Sequence, residues 1–200
     1  MKLLYLLIVK YKEVIKINNI EVLESQLRQV FASVVWTHKI QEKQADRYLR
    51  KYKLLEFIKV TLSAITSSGI FAAIFVDNKW LKIITAIISG ASLFITTYYK
   101  SYDLKSLQKQ HKKSAIELLE LREDLVSVLC DIKIDKYNED ELTKKRDELL
   151  KRKIKIAKCT LDPDEEAVKE ASDNLKKRQD NTYSDDEIDS YLPKLARKNK

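Results

Sequence analysis

The chain has almost no glycine or proline: two of each in 200 residues. Glycine and proline are the residues that tight turns and strand corners draw on. Their scarcity excludes a turn-rich β architecture. Two glycines also cannot build a phosphate-cradling loop, a dinucleotide fingerprint or a nucleophile elbow. Cysteine is equally scarce: Cys130 and Cys159 stand 29 residues apart, with no CxxC spacing and no nearby histidine. A zinc or redox motif is therefore not expected, and both are read as reduced thiols. Only His38 and His111 supply imidazole. What remains is rich in Lys, Glu, Leu, Ile and Asp, a composition of long helices. The expectation is an all-α protein, with no catalytic residues, cofactor or metal.

Both glycines fall inside the only two long apolar runs. Val60–Val76 and Ile83–Tyr99 each hold 17 residues without a charge, in a chain that is 34% charged. Seventeen residues is the lower limit for crossing a hydrocarbon core of roughly 30 Å. Flanking residues extend the runs, giving spans of about 55–76 and 80–99. Glu56 and Lys59 can snorkel to the interface. Trp80 at one end, and Tyr98, Tyr99 and Tyr102 at the other, form an interfacial aromatic belt. A soluble core pair would instead show a charged stripe. The reading is a transmembrane helical hairpin.

The net charge of +8 is concentrated beside that hairpin: residues 1–59 alone carry +6. Seven Lys and Arg lie between Lys39 and Lys59, five between Lys100 and Lys113, and two in the turn Asp77–Lys82. By the positive-inside rule both termini are cytoplasmic. The bilayer is the expected partner. Nucleic acid is the disfavoured alternative for the same basic residues. Leu3–Val9 is too short for a span and lacks a signal-peptide cleavage site. A buried helix start and a surface-lying anchor both fit it.

Outside the spans the heptad pattern is sustained. Leu23, Leu27, Val30 and Val34 repeat at four-three-four spacing on a helix expected over about 20–52, with Asn18-Asn19 as a break before it. After the second span, Leu104, Leu107, His111, Ser114, Leu118, Leu121, Leu125, Val128 and Ile132 form a seam. It lies on a helix over 100–134 that continues the span without interruption. His111 and Ser114 are polar members of the kind that set register or oligomer state. A polar break near Asp135–Asp140 precedes a charged helix over 141–158. Asp162 to Glu165 reads as an N-cap, a first-turn proline and acidic first-turn residues of a helix running to about Gln179. Its stripe is Val168, Ala171 and Leu175. Ser184 and Glu187 form a capping box for a last helix ending near Pro193. These tail helices are expected to be solvated or partner-bound. The organisation is an apolar segment 1–18, a main unit 19–158 and a charged tail 159–200.

Two constellations are candidates for function. In the second span Thr85, Ser89, Ser92 and Thr96 share one narrow stripe beside Gly90, and in the first span Ser63, Ser67 and Gly69 play a similar role. Small and hydroxylated residues serve close helix packing, or line a water-filled path in an oligomer; periodicity alone leaves both open. His38, Glu42 and Asp46 fall on one helix face at four-residue spacing. They lack the second histidine or cysteine that a zinc site of this kind needs.

The run Val35-Trp36-Thr37-His38-Lys39-Ile40-Gln41-Glu42-Lys43-Gln44-Ala45-Asp46 resembles the SLATT family, two-helix membrane proteins of bacterial conflict systems. The likeness continues through Tyr48, Tyr52 and Ser63–Gly69 into the helix after Tyr99. It implies an oligomerising effector of the bacterial inner membrane that permeabilises it when triggered. It also implies a nucleotide-signal or reverse-transcriptase partner. Trp36, Thr37, His38, Lys39, Glu42 and Asp46 would form the family's pre-membrane face. The rival class is a membrane-anchored coiled-coil scaffold without pore activity.

Overall fold

The computed structural model describes residues 2–76, 78–177 and 184–191, with side chains described from Asn19 onward except at 73, 99–101, 185 and 189. The fold is all-α, and no strand occurs among the described residues. Six helices follow in chain order: α1 (Lys2–Phe75), α2 (Lys79–Ser101), α3 (Leu104–Lys133), α4 (Glu139–Cys159), α5 (Glu165–Lys176) and α6 (Asp185–Tyr191).

Helix α1 has 74 residues, about 110 Å at 1.5 Å per residue. It merges the expected pre-membrane helix with the first span. The expected break at Asn18-Asn19 does not occur. An asparagine inside a helix costs only about 0.7 kcal/mol, and Asn19 turns its amide outward to donate to Glu139 Oε1 of α4 at 3.0 Å. The first apolar run is thus a rigid continuation of the helix that carries the Trp-Thr-His-Lys motif.

The opposite correction applies after the second span. Helix α2 stops at Ser101 and does not run on. Tyr102 is extended (φ −109°, ψ 92°), and Asp103 caps α3 by accepting the Ser106 N–H at 2.9 Å. A short polar side chain at the right offset ended the helix where neither glycine nor proline marked it. At the hairpin's other end Asn78 caps α2, accepting the Trp80 N–H at 2.9 Å.

The heptad seam is the core. Leu23, Leu27, Val30 and Val34 of α1 meet Leu118, Leu121, Leu125, Val128 and Ile132 of α3. Leu107 alone of the α3 seam stays half-buried. The structure adds Leu142, Leu149 and Ile156 of α4 to this core, so α4 is a core-forming helix and not a solvated arm. Its N-terminus is a full capping box between Asn138 and Glu141. The preceding turn carries Asp135 at φ 54°, a left-handed conformation that Asp tolerates better than most residues.

Helix α5 is held against α1 by Ala167 and Ala171, both fully buried. The expected stripe is offset: Val168 and Leu175 are half-buried, while Ala167, Ala171 and Asn174 face inward. The cap is Asp164, not Asp162. Its carboxylate accepts the Ala167 N–H at 2.8 Å, which leaves Pro163 just outside the helix. The Ser184–Glu187 capping box forms as expected, with Ser184 N–H donating to Glu187 at 2.9 Å. The N-terminal apolar side chains, Gln179 and Pro193 lie outside what the structure describes.

Candidate functional site

Two connected regions are candidates: the hairpin, and the polar layer of the bundle directly above it. In the hairpin, α1 and α2 run antiparallel. Leu62, Thr66, Gly69 and Ala72 of α1 are half-buried, as are Leu81, Ile88, Ser92 and Ile95 of α2 around the buried Thr85. The four-three spacing makes this a seam. Gly69 and Thr85 approach closely within it. A Cβ on Gly69 would stand 2.8 Å from Thr85 Oγ1, so any larger residue must displace Thr85.

The hydroxyl stripe therefore divides. Thr85 and Ser92 face the partner helix. Ser89 and Thr96 are exposed, as are Ser63 and Ser67 on α1. Gly90 faces open space. At about 100° per residue, Ser63 on α1 and Ser89 and Thr96 on α2 turn to the same flank of the hairpin, because the helices are antiparallel. Ser67 points further outward. Ser67 Oγ donates to the Ser63 carbonyl at 2.9 Å and Thr96 Oγ1 to the Ser92 carbonyl at 2.8 Å, so each satisfies its own proton locally. Thr66 Oγ1 is buried in the seam and has no hydrogen-bond partner.

The polar layer begins at the Trp-Thr-His-Lys motif, whose residues do not form one face. Trp36 points to α5, with Lys176 Nζ 5.9 Å from its ring centre. Thr37 donates to the Ser33 carbonyl and lines a cavity of about 230 Å³ with Gln41, Lys153, Ile156 and Leu161. Lys39 is buried and pairs with Glu42 at 3.1 Å. Burial pushes Glu42 up, but the Lys39 bond and charge outweigh it and hold the carboxyl below its usual range. His38 is buried with Nδ1 unpartnered, and Asp46 is half-buried. Among the described residues no cluster of three His, Cys, Asp or Glu side chains could hold a metal ion.

The residues that bind the layer together are ones sequence reasoning did not single out. Gln41, Gln44, Arg47 and Arg50 recur every third residue on α1. Gln41 is fully buried. Its Nε2 donates to the Leu161 carbonyl at 3.1 Å, and its Oε1 lies 2.6 Å from His111 Nδ1. With the amide oriented by Leu161, His111 is the Nδ1–H tautomer and donates. Its ring stacks on Tyr48, centroids 5.4 Å apart. Gln44 Oε1 accepts the Asp164 N–H at 3.0 Å. Arg47 engages Asp164, Glu166 and Glu170, and Arg50 engages Glu170 at 3.0 Å. Burial lowers the Arg47 pKa, but the Glu166 and Glu170 bonds raise it further than burial lowers it. Burial likewise raises Asp164, and its bonds to the Ala167 N–H, Gln44 and Arg47 bring it below normal. One ladder of α1 side chains thus clamps α3, the α4–α5 connection and α5. The partners lie 70 to 123 residues away, which is why spacing could not reveal them. The only sequence signal was the acidic run Asp162–Glu166, already explained as a cap.

The sequence of this layer and hairpin matches the SMODS and SLOG-associating 2TM effector domain family 4 over residues 23–187. The chain belongs to this family. No curated protein and no solved structure matches the chain. The family's two transmembrane helices correspond to the only two helices, among the described residues, long and apolar enough to cross a membrane; neither apolar window is buried. This SLATT chain is thus an effector-domain protein whose hairpin continues rigidly from its bundle.

Both histidines have pKa values lowered from normal, first by burial. For a group with a lowered folded pKa that is neutral when buried, the unfolded chain takes up the proton first. Stability is therefore complete above about pH 6.5 and falls as pH drops below it, until the lowered native values are reached. The melting midpoint in detergent is expected to fall between pH 7.5 and 5.5, and the slope to flatten in His38→Gln/His111→Gln. A midpoint that is unchanged or higher at pH 5.5 contradicts this.

Proposed function

We propose that the chain is a non-enzymatic effector of the bacterial inner membrane, with both termini cytoplasmic. Copies associate along the hydroxyl flank of their hairpins and leak ions when a cytoplasmic signal or partner rearranges the bundle. The observation that carries this is the placement of Ser63, Ser89 and Thr96. They lie outside the hairpin's own seam, where a monomer gains nothing from them and neighbouring copies or water would. No charge lies mid-span, so a proton relay is disfavoured. Two helices cannot enclose a path, so the leak requires an oligomer. The unbroken α1 gives a route for the trigger: any shift of the clamp at Gln41–Arg50 moves the first span with it. A nucleotide-signal or reverse-transcriptase partner would act at that layer.

One observation favours the rival reading, a membrane-anchored scaffold: Ser67 and Thr96 satisfy their protons on their own helix and do not demand water. Membrane potential after induced expression separates the two. The informative variant is Ser89→Leu/Thr96→Leu, which leaves the α1–α2 seam untouched. Depolarisation by wild type and at least a tenfold slower loss of potential in the variant is the expected outcome. Equal depolarisation by both would remove the flank from the conduit. A silent wild type that is inserted and activated by its partner would favour the scaffold.

A further inference from the structure

Helix α3 is charged against its own dipole. Residues 104–115 hold four lysines and no acid, while residues 116–133 hold five acids against two bases. No acidic residue stands in the first turn, where Lys105 sits instead. A helix N-terminus favours anions, so these lysines answer to something outside the helix. Lys105, Lys109 and Lys112 recur at four-three spacing on the face turned away from the core, and all three are exposed. No carboxylate among the described residues pairs with them. Lys113 reaches only Glu117, at 3.9 Å. Lys109, Lys112 and Lys113 border a shallow concavity of about 380 Å³ with Gln108, Ile116 and Glu117. Distal basic residues are treated differently: Arg122, Lys133, Lys136 and Arg152 each have a carboxylate within 3 Å.

The lysine face begins where α2 leaves the apolar zone. At 1.5 Å per residue, Lys105 and Lys109 stand roughly 1.5 and 7.5 Å beyond Leu104, and Lys112, at roughly 12 Å, reaches back toward the membrane through its long stem. The headgroup layer is about 5–8 Å deep on each side. Aromatic rings mark the same level: Lys105 Nζ lies 5.8 Å from the Tyr52 ring centre, and Tyr98 and Tyr102 pair at 4.9 Å. Exposed Lys51 and Lys53 on α1 extend the collar.

We propose that the outer face of α3, from Lys105 to Lys113, is a binding surface for anionic phospholipid headgroups. The lysines supply charge to the phosphate, and their stems supply apolar contact. Orientation in the membrane needs only an excess of positive charge. An array on one face, with Lys105, Lys109 and Lys112 left without carboxylates, goes further and selects the lipid. The proposal rests on the hairpin spanning the bilayer, and the two can fail separately.

The test is native mass spectrometry of the full chain purified in a neutral detergent from bacterial membranes. It counts retained phosphatidylglycerol against phosphatidylethanolamine. Wild type is expected to retain phosphatidylglycerol at least fivefold over its membrane share. Lys105→Gln/Lys109→Gln/Lys112→Gln should lose that enrichment. Lys151→Gln/Lys155→Gln/Lys158→Gln, the same charge loss on exposed α4 positions, should keep it. Absence of enrichment in wild type, equal loss in both triple variants, or full displacement of the lipid by 1 mM inorganic phosphate would each overturn the proposal. Release of the chain by carbonate extraction would instead sink the membrane reading beneath it.

Discussion

Gly69→Leu is expected to splay the hairpin and lower the melting midpoint by about 4–8 °C in detergent, where the same change at Gly90 does nothing harmful. The two glycines are alike in sequence: each sits mid-span among hydroxyl and alanine neighbours. Their surroundings differ. At Gly69 even a Cβ would meet Thr85 Oγ1 at 2.8 Å and Cγ2 at 3.2 Å. Thr85 is buried on the facing helix and cannot step aside. Overpacking of this kind costs about 1–3 kcal/mol, and about 1 kcal/mol corresponds to 2–4 °C in a chain of this size. The helix gains up to about 1 kcal/mol when glycine is replaced, so Gly69→Ala should show only the small difference of the two. Leucine adds bulk with no room for it. At Gly90 nothing lies within 4 Å, and the propensity gain stands alone. Thr85→Ala removes both clashing atoms and should restore most of the Gly69→Leu loss. If Gly69→Leu melts like wild type, or if Thr85→Ala fails to rescue it, the close approach of α1 and α2 is wrong.

That contrast also marks what could be read from sequence. The existence of the hairpin and its small-residue content were legible, because a bilayer demands length and the absence of charge, and both are local properties. The α1–α3 seam was legible too. Leu23 to Val34 and Leu104 to Ile132 repeat at heptad spacing, and such a repeat has few solutions other than burial. Helix boundaries that depend on one capping side chain were not: Asp103 ended a helix that composition would have continued, and Asn19 failed to end one. The hydroxyl stripe read as one object but is two, because a stripe about 60° wide straddles the edge of a seam. The clamp was invisible for a different reason. Gln41, Gln44 and Arg47 look like ordinary solvated positions until α3 and α5 fold back over them from more than 60 residues away. A buried glutamine has no pattern of its own. The family likeness drew attention to Trp36–Asp46, and the structure places the clamping groups within and just beyond that run, on its unremarked glutamines and Arg47.

Gln41→Leu is expected to cost about 2–4 kcal/mol and to release α5 from α1. Gln41 is 1% exposed and His111 likewise, so the change strands a buried His111 Nδ1–H and the Leu161 carbonyl. Each such orphan costs about 1–3 kcal/mol, partly offset by the apolar side chain that replaces the amide. The two losses separate by design. In Gln41→Leu/His111→Leu, both members of the α1–α3 pair are apolar and of matching shape, which can be nearly neutral. The double variant should regain thermal stability, by roughly half of the single variant's loss. The Leu161 carbonyl remains without its donor in both. Hydrogen exchange of the α5 amides should therefore stay at least tenfold faster than wild type in both. Arg47→Ala should accelerate the same amides with less effect on the melting midpoint, because Glu166, Glu170 and Asp164 are 73%, 37% and 39% exposed and water replaces the lost partner. If α5 exchange returns to wild-type rates in the double variant, the Leu161 bond is not what fastens the connection. If neither single variant changes it, Ala167 and Ala171 alone hold α5, and the ladder on α1 is not the part of the bundle through which a trigger reaches the first span.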